Sequence, residues 1–163
     1  MAIGEDRPSA CDVFHLDRPA GWTVRACRSV GVTEFYPPTA HVAAYPPGIA
    51  MMTLPKTGLA LDVLLRTGLF FLTHDLRQPT IERLDEQQEQ DLTWHRLVVR
   101  GRVLVPLGPG ETRAGEPLAT VKRVALTRPG SAILVLALFG APDAIAPLDA
   151  AFEGLRRAVD VRC

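Results

Sequence analysis

At 163 residues the chain has the length of one ordinary domain, and 47% hydrophobic with 22% charged residues supplies enough apolar material for a buried core. Lys+Arg and Asp+Glu both number 18, so the formal charge is zero; this excludes a nucleic-acid or anionic-membrane binder that works through bulk charge. The longest apolar run, residues 132–141, is far shorter than the roughly 20 residues that a membrane-spanning helix needs.

Among the basic residues only Lys56 and Lys122 are lysines, and there is no Asn, a bias that points to a GC-rich bacterial coding sequence. Cys11, Cys27 and Cys163 are too few and too uneven for a disulfide framework, although a Cys11–Cys27 bridge is compatible with an oxidising compartment. The opening MAIGEDRPSACDVF has no apolar stretch and does not read as a signal peptide, so a cytoplasmic location is expected, or a periplasmic or extracellular one if a leader has been removed.

In chain order, residues 1–12 read as a polar, flexible N-terminus and residues 13–163 as a single domain. Short strands are predicted at 13–16 and 22–24, separated by a turn at Pro19-Ala20-Gly21. Others follow at 30–36, 41–45 and 49–54, punctuated by Pro37-Pro38 and Pro46-Pro47. A helix is predicted over 59–72, with Thr57 as cap and Leu61, Leu64, Leu65, Leu69 and Leu72 on one broad face. Ala60, Val63, Phe70 and Phe71 extend that face almost all round, so the helix is either sandwiched between layers or offers a side to a partner.

The acidic stretch 80–91 reads as a short strand and then a turn. A long strand is predicted at 93–105, with Leu97, Val99, Val103 and Val105 on one face and Arg96, Arg100 and Arg102 on the other. The Gly/Pro loop 106–116 leads to a strand at 118–127, and Pro129-Gly130 turns the chain into a strand at 133–139 that is apolar on both faces and therefore central. A last helix opens at Pro147 with a stripe of Leu148, Phe152, Leu155 and Val159, and Glu153 is expected to pair with Arg157 outside. These elements define an α/β (α+β) fold, an antiparallel sheet sandwiched between helices.

Catalytic constellations are hard to assemble. Ser9, Ser29 and Ser131 are the only serines, and none sits in a Gly-x-Ser-x-Gly elbow. Cys27 lies between Arg25 and Arg28 but shares a strand face with Arg25 alone, which favours a packed cysteine over a thiolate. His15, His41, His74 and His95 have no metal-ligand spacing, and there is no Cys-x-x-Cys; no metal and no cofactor are expected. Gly108-Pro109-Gly110 lacks a phosphate-loop ending. The basic cluster is the stronger surface: Arg96, Arg100 and Arg102 are expected beside Lys122 of the next strand. They form either a solvated face paired with Glu82 or Glu116, or a patch for an acidic protein or anionic ligand.

Phe14-His15-Leu16 followed by Pro19-Ala20-Gly21-Trp22-Thr23-Val24 resembles the opening of Mog/PsbP-like domains, where a short strand meets a Pro-x-Gly-Trp turn. Leu59-Ala60-Leu61-Asp62-Val63-Leu64-Leu65 is similar to that group's first helix, and residues 152–161 are similar to its closing helix and trailing strand. The resemblance covers most of the chain, rests on short structural motifs, and implies an antiparallel sheet between helical layers. The group includes photosystem extrinsic subunits, a Ran-binding nuclear factor, bacterial lipoproteins and chaperones of type VI secretion effectors, which act mainly by binding. No catalytic residue carries over. The long 106–116 loop departs from the chaperones, and the lack of a leader and lipobox cysteine departs from the lipoproteins.

The expected function is therefore a non-catalytic binding module: a bacterial cytoplasmic adaptor or chaperone for a protein partner, either a secreted effector or an acidic protein. Its candidate contacts are Leu65, Leu69, Phe70, Arg96, Arg100, Arg102 and Lys122. A homodimer that hides the first helix, a small-molecule or lipid-binding pocket between sheet and helix, and an enzyme with a cryptic Cys or His site are the alternatives.

Overall fold

A computed structural model describes residues 13–15, 18–27, 32–39, 45–55, 72–89, 92–104, 117–127 and 132–162. The strands are β1 (Val13–His15), β2 (Thr23–Cys27), β3 (Val32–Tyr36), β4 (Gly48–Pro55), β5 (Arg77–Glu89), β6 (Leu92–Leu104), β7 (Pro117–Thr127), β8 (Ala132–Gly140) and β9 (Asp160–Arg162). Seven of them form one antiparallel sheet in the order β2-β3-β4-β8-β7-β6-β5, while β1 pairs with β9 in a separate ribbon. The PsbP-like closing strand expected after the last helix is β9. The opening turn is as read: Trp22 N–H donates to Pro19 O at 3.1 Å, and Gly21 has φ +79°, which its missing Cβ tolerates.

β8 lies at the centre because it can bury both faces. Ile133 to Leu138 are all buried, with Leu134, Leu136 and Leu138 on one side and Ile133, Val135 and Ala137 on the other. Each of the Leu, Ile and Val side chains stabilises the fold by about 1.5–3 kcal/mol relative to exposure. The sheet therefore has two cores. On one side Phe35, Ile49, Trp94 and Val98 join Leu134, Leu136 and Leu138 under the C-terminal helical segment; this is the helix face. On the other, Leu97, Val99, Val103, Val124 and Val135 pack with Leu72, Leu76 and Tyr45; this is the recess face.

The C-terminal segment differs in detail from the sequence expectation. A turn of helix, α1 (Pro142–Ile145), and a 3₁₀ turn at Ala146–Leu148 precede α2 (Asp149–Arg157), so Pro147 belongs to the 3₁₀ turn and the α-helix begins two residues later. The stripe is correct: Phe152, Leu155 and Val159 are buried against the sheet, and Leu148 packs beside them. The expected Glu153–Arg157 pair is replaced by Glu153–Arg156, because the i,i+3 partner is the one that points into the interface.

The acidic stretch is not a short strand with a turn. β5 runs for 13 residues along the sheet edge, with register shifts between Arg77 and Thr80 and between Arg83 and Asp85. Both of its faces stand largely in solvent, so the alternation that marks a half-buried strand never appears. Gln78 has φ +50° and precedes Pro79; bulges, a proline and charges of this kind are features that disfavour edge-to-edge pairing. Leu72 and Thr73 are helical, and residues 56–71, with most of the predicted first helix, lie outside the described residues, as do 41–44 and 105–116.

Candidate functional site

The recess face carries a half-open cavity of about 400 Å³, over the middle of the sheet where β3, β4, β8 and β7 lie side by side. Alternation along these strands sets its floor: Val32, Ala50, Met52 and Ala137 point the same way because they are cross-strand neighbours. Three rings wall one end. Tyr36 meets Phe139 edge-on, centroids 6.0 Å apart at 82°, and Tyr45 is tilted 52° to Phe139 at 6.2 Å. Gly48 makes room for two of them, since a Cβ there would come within 2.9 Å of Phe139 Cζ and 3.0 Å of Tyr36 Cδ1.

The polar rim is built from Arg25, Glu34, Tyr36, Tyr45, His74, Asp75 and Lys122. Tyr36 Oη donates to Glu34 Oε2 at 3.0 Å. Burial, then the neighbouring Glu34 carboxylate, pushes the Tyr36 phenol up to about 12, with Arg25 pulling weakly the other way. Tyr45 is also raised, first by burial and then by Asp75, Tyr36 and Glu34. Both phenols therefore stay protonated at neutral pH, and Tyr36 spends its proton on Glu34.

Lys122 is the correction with the most consequence. It is not beside Arg96, Arg100 and Arg102. Its cross-strand partners are Val99 and Phe139, so it projects from the recess face while the arginines project from the helix face. Buried there, its Nζ donates to Asp75 Oδ1 and to Leu72 O, both at 2.7 Å. Leu72 O belongs to a helical residue followed by the turn at 74–75, and an ammonium at such a carbonyl favours the helix end. Lys122 thus latches the segment 72–76 onto the sheet at the cavity mouth.

The arginines separate into two kinds. Arg96 is enclosed by polar partners: Asp85 Oδ1 at 3.7 Å, Gln87 Oε1 at 3.3 Å and Glu153 Oε1 at 3.3 Å. Its cross-strand carboxylate is Asp85, not the expected Glu82. Glu116, the other expected partner, lies outside the described residues, as do Leu65, Leu69 and Phe70. Arg100 and Arg102 remain exposed on the helix face, and β5 sets Arg77 directly opposite Arg102. Among the described residues no carboxylate lies within 4.0 Å of these three guanidinium groups. Arg100 also lines a smaller groove of about 340 Å³ with Glu82, Leu84, Arg123 and Ile145.

Sequence reasoning missed Arg156, whose side chain is fully buried. It donates to Glu153 Oε2 through Nε at 2.9 Å and through Nη2 at 2.7 Å, and to Glu89 through Nη1. Its guanidinium lies 5.5 Å from the Trp94 ring centroid. Burial alone would lower its pKa, but the hydrogen bonds and charges of Glu153 and Glu89 outweigh it and raise it. This assembly ties α2 to β5 and β6. On the recess face His95 sits 3.4 Å from Glu86 Oε1, yet its Nδ1 is buried without hydrogen-bond geometry to any partner. Cys27 pairs with Val32 across β2 and β3, whereas Ser9, Ser29, Ser131, Cys11, Cys163 and His41 lie outside the described residues.

No family model and no curated protein matches the chain by sequence. Solved structures do. Cyanobacterial PsbP (CyanoP) from Synechocystis superposes with a TM-score of 0.59 at 14% identity, covering 92% of this chain and 87% of that one. A protein of unknown function from Pseudomonas aeruginosa, described as a candidate regulator, gives 0.59 at 12% identity over 88% of this chain and 99% of its own. A Bacteroides thetaiotaomicron protein gives 0.53 at 11% identity, covering 92% of this chain but 45% of its own. The fold is thus Mog/PsbP-like, as the opening and closing motifs implied, and at these identities the likeness speaks for the fold alone. Among the described residues no helix is long and apolar enough to cross a membrane.

Proposed function

We propose that this chain is a binding module without chemistry of its own, and that the recess holds its ligand. The observation that carries this is the cavity itself. Its volume of about 400 Å³ lies within the range of small-molecule sites, and its floor is apolar with a few polar groups converging on one end. A ligand with an apolar body and one polar end fits that layout. Filling the recess tests it. Met52 points into the cavity from β4, and Met52→Trp is expected to abolish ligand retention in native mass spectrometry of the purified protein while circular dichroism stays unchanged. Ligand retention equal to wild type in the filled variant would sink the reading.

An adaptor for an acidic protein is the second reading, supported by Arg77, Arg100 and Arg102. Like charges set opposite each other on a sheet cost stability, and no described carboxylate offsets these. It predicts a partner captured from the native host and lost on Arg100→Glu with Arg102→Glu. Capture that survives the double variant counts against it.

A further inference from the structure

We infer that the aromatic end of the recess binds an organic cation, an alkylammonium head whose carbon body lies along the apolar floor; this rests on reading the recess as a ligand site. Tyr36 and Tyr45 stand at 82° and 52° to Phe139 and all three line the cavity, so three π systems, whose faces carry negative charge density, border one end of it at different inclinations. A neutral ligand gains only contact area from such walls, whereas a cation also gains attraction to each face.

The fixed charges point the same way once the spent ones are removed. Lys122 and Asp75 neutralise each other at 2.7 Å, so the buried ammonium adds no net charge. Glu34 accepts one hydrogen bond from the uncharged Tyr36 phenol, and among the described residues no cation lies within 4.0 Å of it. Arg25 faces Glu34 across β2 and β3 but is exposed at the mouth, where water screens it. Consistent with this, Tyr36 responds more to Glu34 than to Arg25, and Glu34 is among the groups that raise Tyr45. Glu34, bonded to Tyr36, thus brings a carboxylate without an ion-pair partner among the described residues to the end walled by rings, and the floor of Val32, Met52 and Ala137 adjoins it.

The test uses the whole chain and three probes of one length: hexyltrimethylammonium, hexanol and hexanoate, measured by isothermal titration calorimetry. Hexyltrimethylammonium is expected to bind at least about tenfold tighter than hexanol, with hexanoate weakest. Glu34→Gln is expected to reduce the cation's affinity by about tenfold and leave hexanol unchanged. Phe139→Leu, a second variant in case the first perturbs folding, should erase the cation's advantage in the same way. A peptide carrying one trimethyllysine separates the sources of such a head: tighter binding than the free ammonium assigns a protein side chain, weaker binding a small molecule, and both outcomes support the cation site. Hexanol or hexanoate binding as tightly as the ammonium would overturn the inference while leaving the recess as a ligand site. Binding of no probe would overturn both.

Discussion

On the helix face Arg156 has no exposed surface and donates to two carboxylates beside an indole ring; on the recess face Lys122 is almost as buried but closes one short latch at the rim of a cavity. The first network is saturated. Glu153 serves both Arg156 and Arg96, and Glu89 serves both Arg156 and Arg157. The second leaves groups over: among the described residues Glu34 has no cation and Arg25 no carboxylate within 4.0 Å, and the rings line the cavity. Buried charge that is fully paired holds a structure in one arrangement, while polar groups left unpaired beside an apolar floor are available to a ligand. The same residue types thus build a joint on one side of a sheet and the rim of an open cavity on the other.

Breaking the joint is the most severe test of that contrast. Arg156→Ala should cost about 3 kcal/mol, the low end for removing one partner of a buried ion pair, because Glu89 and Glu153 retain some contact with water. Urea unfolding followed by Trp94 fluorescence measures it; a cost below about 1 kcal/mol would show that the network contributes little. Lys122→Met should cost less, about 1–2 kcal/mol, since Asp75 can turn to solvent and mainly the Leu72 carbonyl loses its donor. If the cost of Lys122→Met matched that of Arg156→Ala, the latch would be as integral as the joint and the distinction between the faces would fail.

The recess should also register in alkali. Burial and Glu34 push the Tyr36 phenol up to about 12 from its usual value near 10, so its folded-state pKa is raised. Its contribution to stability is complete below the unfolded-state pKa of about 10 and is lost as pH climbs through about 12. Phenolate absorbance should show a late-titrating tyrosine, and Glu34→Gln should move it down part of the way, because burial, the larger cause, remains. The smallest effect belongs to the exposed arginines: Arg100→Ala should change stability by no more than about 0.5 kcal/mol in thermal or urea unfolding. A larger loss would mean that Arg100 is paired in solution and that the basic patch is structural.

Much of the framework was legible in the chain. β8 could be placed at the centre because an unbroken apolar run can satisfy only a strand covered on both sides. The stripe Leu148, Phe152, Leu155 and Val159 named the buried side of α2 and its two flanks through helical periodicity alone. β5 was misread because an edge strand in solvent has no apolar alternation to display. Lys122 was placed on the wrong face for a different reason. Alternation sorts the side chains of β6 and of β7 into two sets each, but which sets meet depends on the register across residues 105–116, and a slip of one residue reverses every side chain.

The recess was invisible for a reason of the same kind. Tyr36 and Tyr45 are about a hundred residues from Phe139, and nothing local in any of them marks a wall of a cavity. They meet because β4 lies between β3 and β8 in the sheet order and carries a glycine, Gly48, opposite Phe139. By itself the sequence determined what local periodicity and turn chemistry control: one apolar central strand, an amphipathic closing helix, a Pro-Ala-Gly-Trp turn, and through them a Mog/PsbP-like antiparallel sheet. Only the tertiary structure decided which charges are used up and which are left, because pairing across strands and packing between layers, not neighbours in the chain, set the distance from each cation to its carboxylate.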